Sequence, residues 1–231
     1  MNKVFISLIV AFSAFALEAC GGKPERQMEN LSRGVVAVNR GDAVFVSWRL
    51  LGTEPTDLGF NVYRQSEGAS AVKLNDEPLT GPTWILDKDA DSTKTNSWYV
   101  CAVQQGKELE PSKSYTLKAA SPVQQYVSIP LKGIKGYAPN DCSVGDLDGD
   151  GDYELVVHMS GRGIDTPSRG FSDIPVFQAY ELDGTFMWEI SLGCNIREGA
   201  HYTQFMVADL DGDGKAEFAC KTGDGTTDAL G

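Results

Sequence analysis

Apolar and polar positions alternate along short stretches in the first half of the chain. The stretch 43–50 places Val44, Val46 and Trp48 on one side, and this period of two predicts a half-buried β-strand. A turn signal at 39–42 precedes it. The chain therefore begins its folded part with strand patterning and without helical periodicity.

Two further stretches, 59–64 and 98–103, predict strands, and a polar turn at 104–107 closes the second. Short strands at this spacing indicate an all-β sandwich of about 90 residues, which we place at 31–121. These segments resemble strands of fibronectin type III domains, and their aromatic residues are expected in the core.

A different pattern follows the linker at 120–122, because the chain then repeats itself. The stretch 144–157 is echoed by 207–220, an offset of 63 positions. Between the copies, 176–190 predicts a hairpin with its turn at Asp183-Gly184. Such a period is longer than common propeller blades but suits blades with inserted loops, so 122–231 is predicted to begin a β-propeller.

Each repeat carries the motif Asp-x-Asp-x-Asp-Gly-x-x-Glu. Carboxylates this close repel one another without a cation, and Ca²⁺ takes six to eight oxygen ligands. Gly151 and Gly214 permit the sharp turn that points the carboxylates inward. The predicted calcium ligands are Asp146, Asp148, Asp150, Asp152 and Glu154 in the first loop and Asp209, Asp211, Asp213, Lys215 and Glu217 in the second, with Asp152 and Lys215 contributing backbone carbonyls.

The loops begin like EF-hands but do not continue like them. Their twelfth positions are Val157 and Cys220 instead of Glu, and a β-rich run follows where a helix should stand. A single copy could be a solvated acidic turn, whereas two copies in register favour bound calcium. A loop repeated with the strands favours a structural role for the ion over a catalytic one.

Polar and aromatic groups cluster just before the second loop. Arg197, His201 and Tyr202 could bind a sugar or a carboxylate, and Lys221 follows the second repeat. For His201 the alternative of a hydrogen-bonded loop histidine stays open. His158 lies within an apolar strand, which favours a structural role.

The net charge of −12 argues against a nucleic-acid partner, because phosphates would repel the chain. Residues 1–20 match a bacterial lipoprotein signal, with a short apolar run ending before Cys20, the predicted lipidation site. A polar tether at 21–30 follows, so we expect export and a lipid anchor at the outer membrane or cell surface. Simple secretion is the alternative.

Four other cysteines are widely spaced. Export would permit disulfides among them, and free thiols on strands are an equal alternative. The sequence does not choose between the possible pairings. The cysteines are Cys101, Cys142, Cys194 and Cys220.

Several unusual motifs occur in one order along the chain. They are Tyr-Ala-Pro-Asn-Asp at 137–141, the two Asp-Leu-Asp-Gly-Asp-Gly loops, Gly-Ala-His-Tyr-Thr-Gln-Phe at 199–205, Lys221-Thr222, and the earlier stretches 33–38 and 45–49. Together they resemble the rhamnogalacturonan lyases of polysaccharide lyase family 11. The resemblance implies an eight-bladed propeller with bound calcium after the first β-domain, and it adds Asn140 to the expected substrate-binding residues.

The resemblance also implies eliminative cleavage of the rhamnogalacturonan I backbone of pectin. In that reaction a base removes the proton at C5 of galacturonate once a cation or Arg neutralises the adjacent carboxylate. The sequence does not identify the base. Family members are longer than this chain, so we expect the chain to hold only the first blades and to be inactive alone. A calcium-dependent glycan-binding or adhesion protein is the alternative, and a calcium-stiffened surface module is a third.

Overall fold

The computed structural model describes residues 28–164, 169–199 and 201–231. Every helix or strand among them is a β-strand, so the predicted all-β class is confirmed. No helix long and apolar enough to cross a membrane occurs in these ranges. The predicted signal segment, Cys20 and most of the tether lie outside the described residues.

Nine strands form two antiparallel sheets in the first half of the chain. They are β1 (Val36–Asn39), β2 (Val44–Ser47), β3 (Gly59–Ser66), β4 (Val72–Lys73), β5 (Leu79–Thr80), β6 (Trp84–Asp87), β7 (Asn96–Gln104), β8 (Lys107–Pro111) and β9 (Tyr115–Leu117). One sheet has the order β1-β2-β6, and the other has the order β4-β3-β7-β8 with β5 on β3 and β9 on β7.

The two sheets share one hydrophobic core. In β2, Val44 and Val46 are buried while Phe45 and Ser47 are half-buried, as the alternating pattern predicts. Trp48 packs on Phe60 of the second sheet with ring centroids 5.6 Å apart. Trp98 is fully buried, and its indole Nε1 donates to the carboxylate of Asp87 at 2.9 Å. Trp48, Phe60 and Trp98 are therefore core residues, as expected, whereas Tyr63 and Tyr99 are half-buried and lie outside the core.

Six strands follow after residue 137. They are β10 (Ala138–Gly145), β11 (Glu154–Ser160), β12 (Val176–Tyr180), β13 (Phe186–Ser191), β14 (Phe205–Ala208) and β15 (Glu217–Cys220). The first four make an antiparallel sheet in sequence order, and the last two pair with each other. The predicted hairpin at 176–190 is confirmed as β12–β13, with Gly184 at φ +90° in its turn.

Both acidic loops lie at hairpin connections, one between β10 and β11 and the other between β14 and β15. The backbone amide of Ala216 donates to the carbonyl of Asp146 at 2.7 Å, so the two loops meet at one end of the sheets. We call this the acidic end. The opposite end is defined by Ala138, Ser160 and Cys220, where β10 begins and β11 and β15 finish.

The four cysteines of the described residues are free thiols, which decides between the two alternatives left by the sequence. Cys101 is buried on β7, whereas Cys142 and Cys194 are exposed and Cys220 is half-buried. Loss of water around the sulfur atom raises the pKa of the Cys101, Cys142 and Cys220 thiols, even though the Cys142 residue as a whole is exposed, and this keeps the three thiols protonated near neutral pH.

Candidate functional site

The first acidic loop gathers four carboxylates whose oxygens lie within 4.8 Å of one another: Asp146, Asp148, Asp150 and Glu154. The turn is built by Asp146, which accepts hydrogen bonds from the amides of Gly149 at 2.7 Å and Gly151 at 2.9 Å. Gly151 has φ +92°, a conformation that favours glycine. The loop therefore converges the predicted side-chain ligands on one point.

Glu154 gives the best evidence that this point suits a cation. Its side chain is fully buried, Oε2 accepts the amide of Leu147 at 2.6 Å, and Oε1 has no partner. Burial, reinforced by neighbouring carboxylates, raises the pKa of Glu154 to about 7. An unpaired buried carboxylate oxygen is costly, and a cation between these groups would satisfy it.

The second loop repeats this hydrogen-bonding pattern. Asp209 accepts from the amides of Gly212 at 2.6 Å and Gly214 at 3.0 Å, and Glu217 accepts from Leu210 at 2.7 Å. Its close group consists of Asp209, Asp211 and Glu217, and the Asp213 carboxylate lies outside it. The second loop is also less buried than the first, so the two repeats differ as metal sites.

The side chains of Asp152 and Lys215 belong to neither group. Asp152 accepts hydrogen bonds from the Ser32 hydroxyl and from the Lys113 ammonium, at 3.2 Å for the latter. The Lys215 ammonium donates to the carbonyl of Asp148 at 2.8 Å. Any contribution of these two residues to a bound ion must therefore come from their backbone carbonyls.

The opposite end holds the residues predicted to bind substrate. The Arg197 guanidinium lies 5.5 Å from the Tyr202 ring centroid and the Lys221 ammonium 5.6 Å, so these three form one cluster, which we call the basic-aromatic cluster. His201 is exposed beside Tyr202. Asn140 is exposed at a bulge near the start of β10, at the same end of the sheet.

The sequence did not single out a buried polar network that lies beside this cluster. His158 Nε2 lies 3.0 Å from Glu198 Oε2, and the Ser160 hydroxyl donates to Glu198 Oε1 at 3.0 Å. His158 and Glu198 are each 1% exposed. His158, for which we expect a structural role, thus has Glu198 as its partner. The one sequence signal that could have pointed to this buried network is a polar residue within an apolar strand.

Two domain models of a single enzyme family match the chain. The β-sheet domain of rhamnogalacturonan I lyases matches residues 26–117, and the C-terminal domain of rhamnogalacturonan lyase family 11 matches residues 132–231. Two Bacillus subtilis proteins are each 43% identical to this chain: rhamnogalacturonan exolyase YesX over 90% of it and rhamnogalacturonan endolyase YesW over 99%.

Solved structures agree with these matches. A Bacillus licheniformis rhamnogalacturonan lyase is 48% identical with a TM-score of 0.76, and YesX is 42% identical with a TM-score of 0.74, each covering 90% of this chain. These sequence and structure matches place the chain among the rhamnogalacturonan lyases. More narrowly, it belongs to rhamnogalacturonan lyase family 11. The chain spans about a third of its relatives' length, 34% of YesX and 36% of YesW.

Proposed function

We propose that this chain is part of a lyase that cleaves the rhamnogalacturonan I backbone of pectin by β-elimination. The observation that carries the proposal is the identity of 42–48% to enzymes named rhamnogalacturonan lyases, sustained over 90% of the chain. Both matched domain models belong to such lyases, which supports the same substrate. The relatives include an exolyase and an endolyase, so the mode of cleavage is left open.

β-Elimination requires that the galacturonate carboxylate is neutralised and that the proton at C5 is removed. The basic-aromatic cluster suits the first task, because Arg197 and Lys221 bring two cations to one place beside the Tyr202 ring. An aromatic ring beside cations also suits a sugar ring that carries a negative charge. We assign no base to a described residue.

We further propose that both acidic loops bind Ca²⁺ and that the ions have a structural role. The oxygen-only ligand groups and the unpaired buried oxygen of Glu154 support calcium in the first loop. The acidic end is separated from the basic-aromatic cluster by the length of the strands. Bound ions there would stiffen hairpin connections and would not touch a sugar at the opposite end.

The architecture we propose is a fibronectin type III-like sandwich at 31–121 followed, at 122–231, by the first blades of an eight-bladed β-propeller. The four-stranded antiparallel order β10-β11-β12-β13 is that of a propeller blade, and β14-β15 beside β10 would begin the next. The two-sheet core of the first half supports the sandwich.

Export and lipidation of Cys20 remain part of the proposal on the strength of the signal sequence. The protein would then be held at the outer membrane or cell surface, near a polymeric substrate. Cys20→Ser should release the protein from the membrane fraction, and mass spectrometry of the wild-type N-terminus should find acyl chains. An unmodified mature N-terminus at another residue would contradict the anchor.

The activity test compares this chain with a longer version, to which the remaining residues of the Bacillus licheniformis relative are added. Elimination leaves a C4=C5 double bond conjugated to the carboxylate, which absorbs in the ultraviolet. With rhamnogalacturonan I and excess calcium, we expect absorbance to rise for the longer version and not for this chain alone. A folded, calcium-loaded longer version that binds the polysaccharide without cleaving it would overturn the lyase proposal.

A further inference from the structure

Glu198 occupies an unusual position, because its carboxylate is buried next to the basic-aromatic cluster without touching solvent. One of its oxygens lies 3.0 Å from His158 Nε2 and the other accepts the Ser160 hydroxyl at 3.0 Å. His158 and Ser160 both belong to β11, whereas Glu198 belongs to the loop that follows β13. The carboxylate therefore ties this loop to the end of a core strand.

The backbone of Glu198 joins further segments at the same point. Its amide donates to the Ser172 hydroxyl at 2.9 Å, and its carbonyl accepts the amide of Ile164 at 3.1 Å. The adjacent Arg197 donates from Nε to the carbonyl of Ile164 at 3.0 Å. The direction of the Arg197 side chain thus depends on the contact between residue 198 and the segment after β11.

Tyr202 is placed from the same loop. Its amide donates to the carbonyl of Gly199 at 2.9 Å, one residue after Glu198. Its ring in turn lies beside the cations of Arg197 and Lys221. Displacement of Glu198 would move both Arg197 and Tyr202, because the Glu198 side chain fixes their loop to β11.

The surroundings of His158 indicate which of its ring nitrogens carries the hydrogen atom in the contact with Glu198. Its Nδ1 is buried without a partner, and its ring lies 5.1 Å from the ring of Phe177. An N–H group at Nδ1 would be an unpaired buried donor, which is less favourable than an unpaired acceptor of a neutral ring. The hydrogen therefore lies on Nε2, and Glu198 accepts from two donors at once.

We propose that Glu198 is a positioning residue for the recognition of a negatively charged sugar, because it holds Arg197 and Tyr202 in the geometry that the sugar requires. Glu198 itself is buried and does not touch the ligand. This inference rests on the proposed function, since it takes the basic-aromatic cluster to be the galacturonate site. Productive geometry requires that residues behind a site lock it in place.

The test measures binding of an unbranched rhamnogalacturonan I hexasaccharide to this chain with calcium, by isothermal titration. Glu198→Ala should weaken binding about tenfold. Glu198→Gln should stay within about threefold of the wild type, since an amide can accept from His158 and donate to the Ser160 hydroxyl. Ser160→Ala removes one of the two donors to Glu198, so its binding of the hexasaccharide should lie between that of the two Glu198 variants. It replaces Glu198→Ala in the test if that variant does not fold.

Gln178→Ala is the matched control. Gln178 is a fully buried polar residue of the same sheet, but it donates to Glu189 on β13 and accepts from the Tyr180 hydroxyl on β12, away from the cluster. It should lower stability and leave binding unchanged. Weakening of binding by Gln178→Ala equal to that by Glu198→Ala would overturn the inference, because general destabilisation would then explain both.

Hydrogen exchange gives a readout that does not depend on the sugar. Glu198→Ala should speed amide exchange in 195–204 and 160–164 while leaving 154–158 unchanged. If the wild type binds the hexasaccharide and Glu198→Ala binds it equally well, the positioning role is wrong and the proposed site stands. If the wild type does not bind, the proposed site itself is wrong, and the inference falls with it.

Discussion

The ammonium of Lys215, in the second acidic loop, donates a hydrogen bond to the backbone carbonyl of Asp148 in the first, at 2.8 Å. The stem of Lys215 also covers Gly149, where an added Cβ would lie 2.7 Å from its Cε. Since Ala216 donates to Asp146 as well, the two loops are joined directly and not only through their strands.

Replacing Lys215 by Met should therefore loosen the joint while keeping much of the apolar stem. We expect a loss of about 1 kcal/mol in the free energy of unfolding, the usual worth of one hydrogen bond. Urea unfolding in excess calcium measures it. Lys118→Met, at another exposed lysine, is the control and should change stability by much less.

Calcium binding should be divisible between the two loops. Isothermal titration of the wild type should give about two ions per chain, and Asp148→Ala and Asp211→Ala should each remove one, since each deletes a carboxylate from a different group. Asp141→Ala, at an exposed carboxylate outside both groups, should remove none. A folded wild type that binds no calcium at millimolar concentration would contradict the assignment.

Gly151→Ala should destabilise the protein more than a typical glycine replacement in a turn. Beyond its φ of +92°, a Cβ at this position would lie 3.0 Å from the amide nitrogen of Ser32 and 3.1 Å from the carbonyl oxygen of Asn30, which are backbone atoms. We expect a loss of about 2–3 kcal/mol from strain and displaced backbone together.

Gly68→Ala separates the two causes. Gly68 has φ +74°, but an added Cβ there meets nothing within 4 Å. It should therefore report the backbone strain alone, at about 1 kcal/mol. Equal losses for the two variants in thermal or urea unfolding would show that the segment 30–32 does not pack on the first acidic loop.

Stability at acid pH should depend on the ion pair between Arg33 and Glu54. Burial raises the pKa of Glu54, but hydrogen bonds from the Arg33 guanidinium and the Leu51 amide outweigh it, so the pKa lies below its usual 4.5. A lowered carboxylate pKa contributes stability above the unfolded value, and this stability is lost as the pH falls through the folded value.

The free energy of unfolding of the wild type should therefore fall, as the pH drops below 4.5, more steeply than that of Glu54→Gln. Urea titrations at several pH values measure the difference, with Glu67→Gln, at an exposed carboxylate, as the control. If the free energy of unfolding depends on pH in the same way for the wild type and Glu54→Gln, the ion pair between Arg33 and Glu54 does not contribute to the loss of stability in acid.

The sequence predicts what is local in this protein. The strand at Val44 and Val46, the turn at Asp183-Gly184 and the turns of both acidic loops each follow from residues close together in the chain. Contacts between distant segments could not be predicted this way. Glu198 contacts His158 across 40 positions of sequence, and Asp152 contacts Ser32 across 120. A periodic pattern describes neighbouring residues only and does not predict such contacts.

The candidate site shows the same division. Arg197 and Tyr202 were found because they lie near each other in a polar stretch, and the structure adds Lys221 to them through the ring of Tyr202. Asn140 came from the family resemblance and is placed only at the same end of the sheet. The state of the four cysteines needed the folded chain, because their spacing fits pairing and free thiols equally.

The positive charge of the basic-aromatic cluster should contribute directly to sugar binding. Lys221→Met should weaken binding of the rhamnogalacturonan I hexasaccharide about three- to tenfold, because it removes one cation from beside the carboxylate that we propose to bind there. It should also flatten the salt dependence of binding, since screening acts on the charges that remain. Tyr202→Phe keeps the ring face and should bind within about twofold of the wild type, whereas Tyr202→Ala should lose as much as Lys221→Met.

Lys107→Met, at an exposed lysine at the start of β8, is the control for net charge. It makes the chain more negative by the same amount and should leave binding and its salt dependence unchanged. If both lysine variants weaken binding equally, the long-range charge of the chain governs the interaction and the cluster is not the binding site. If Tyr202→Ala binds like the wild type while Lys221→Met does not, the site contacts the lysine without the aromatic ring, and the stacking part of the proposal is wrong.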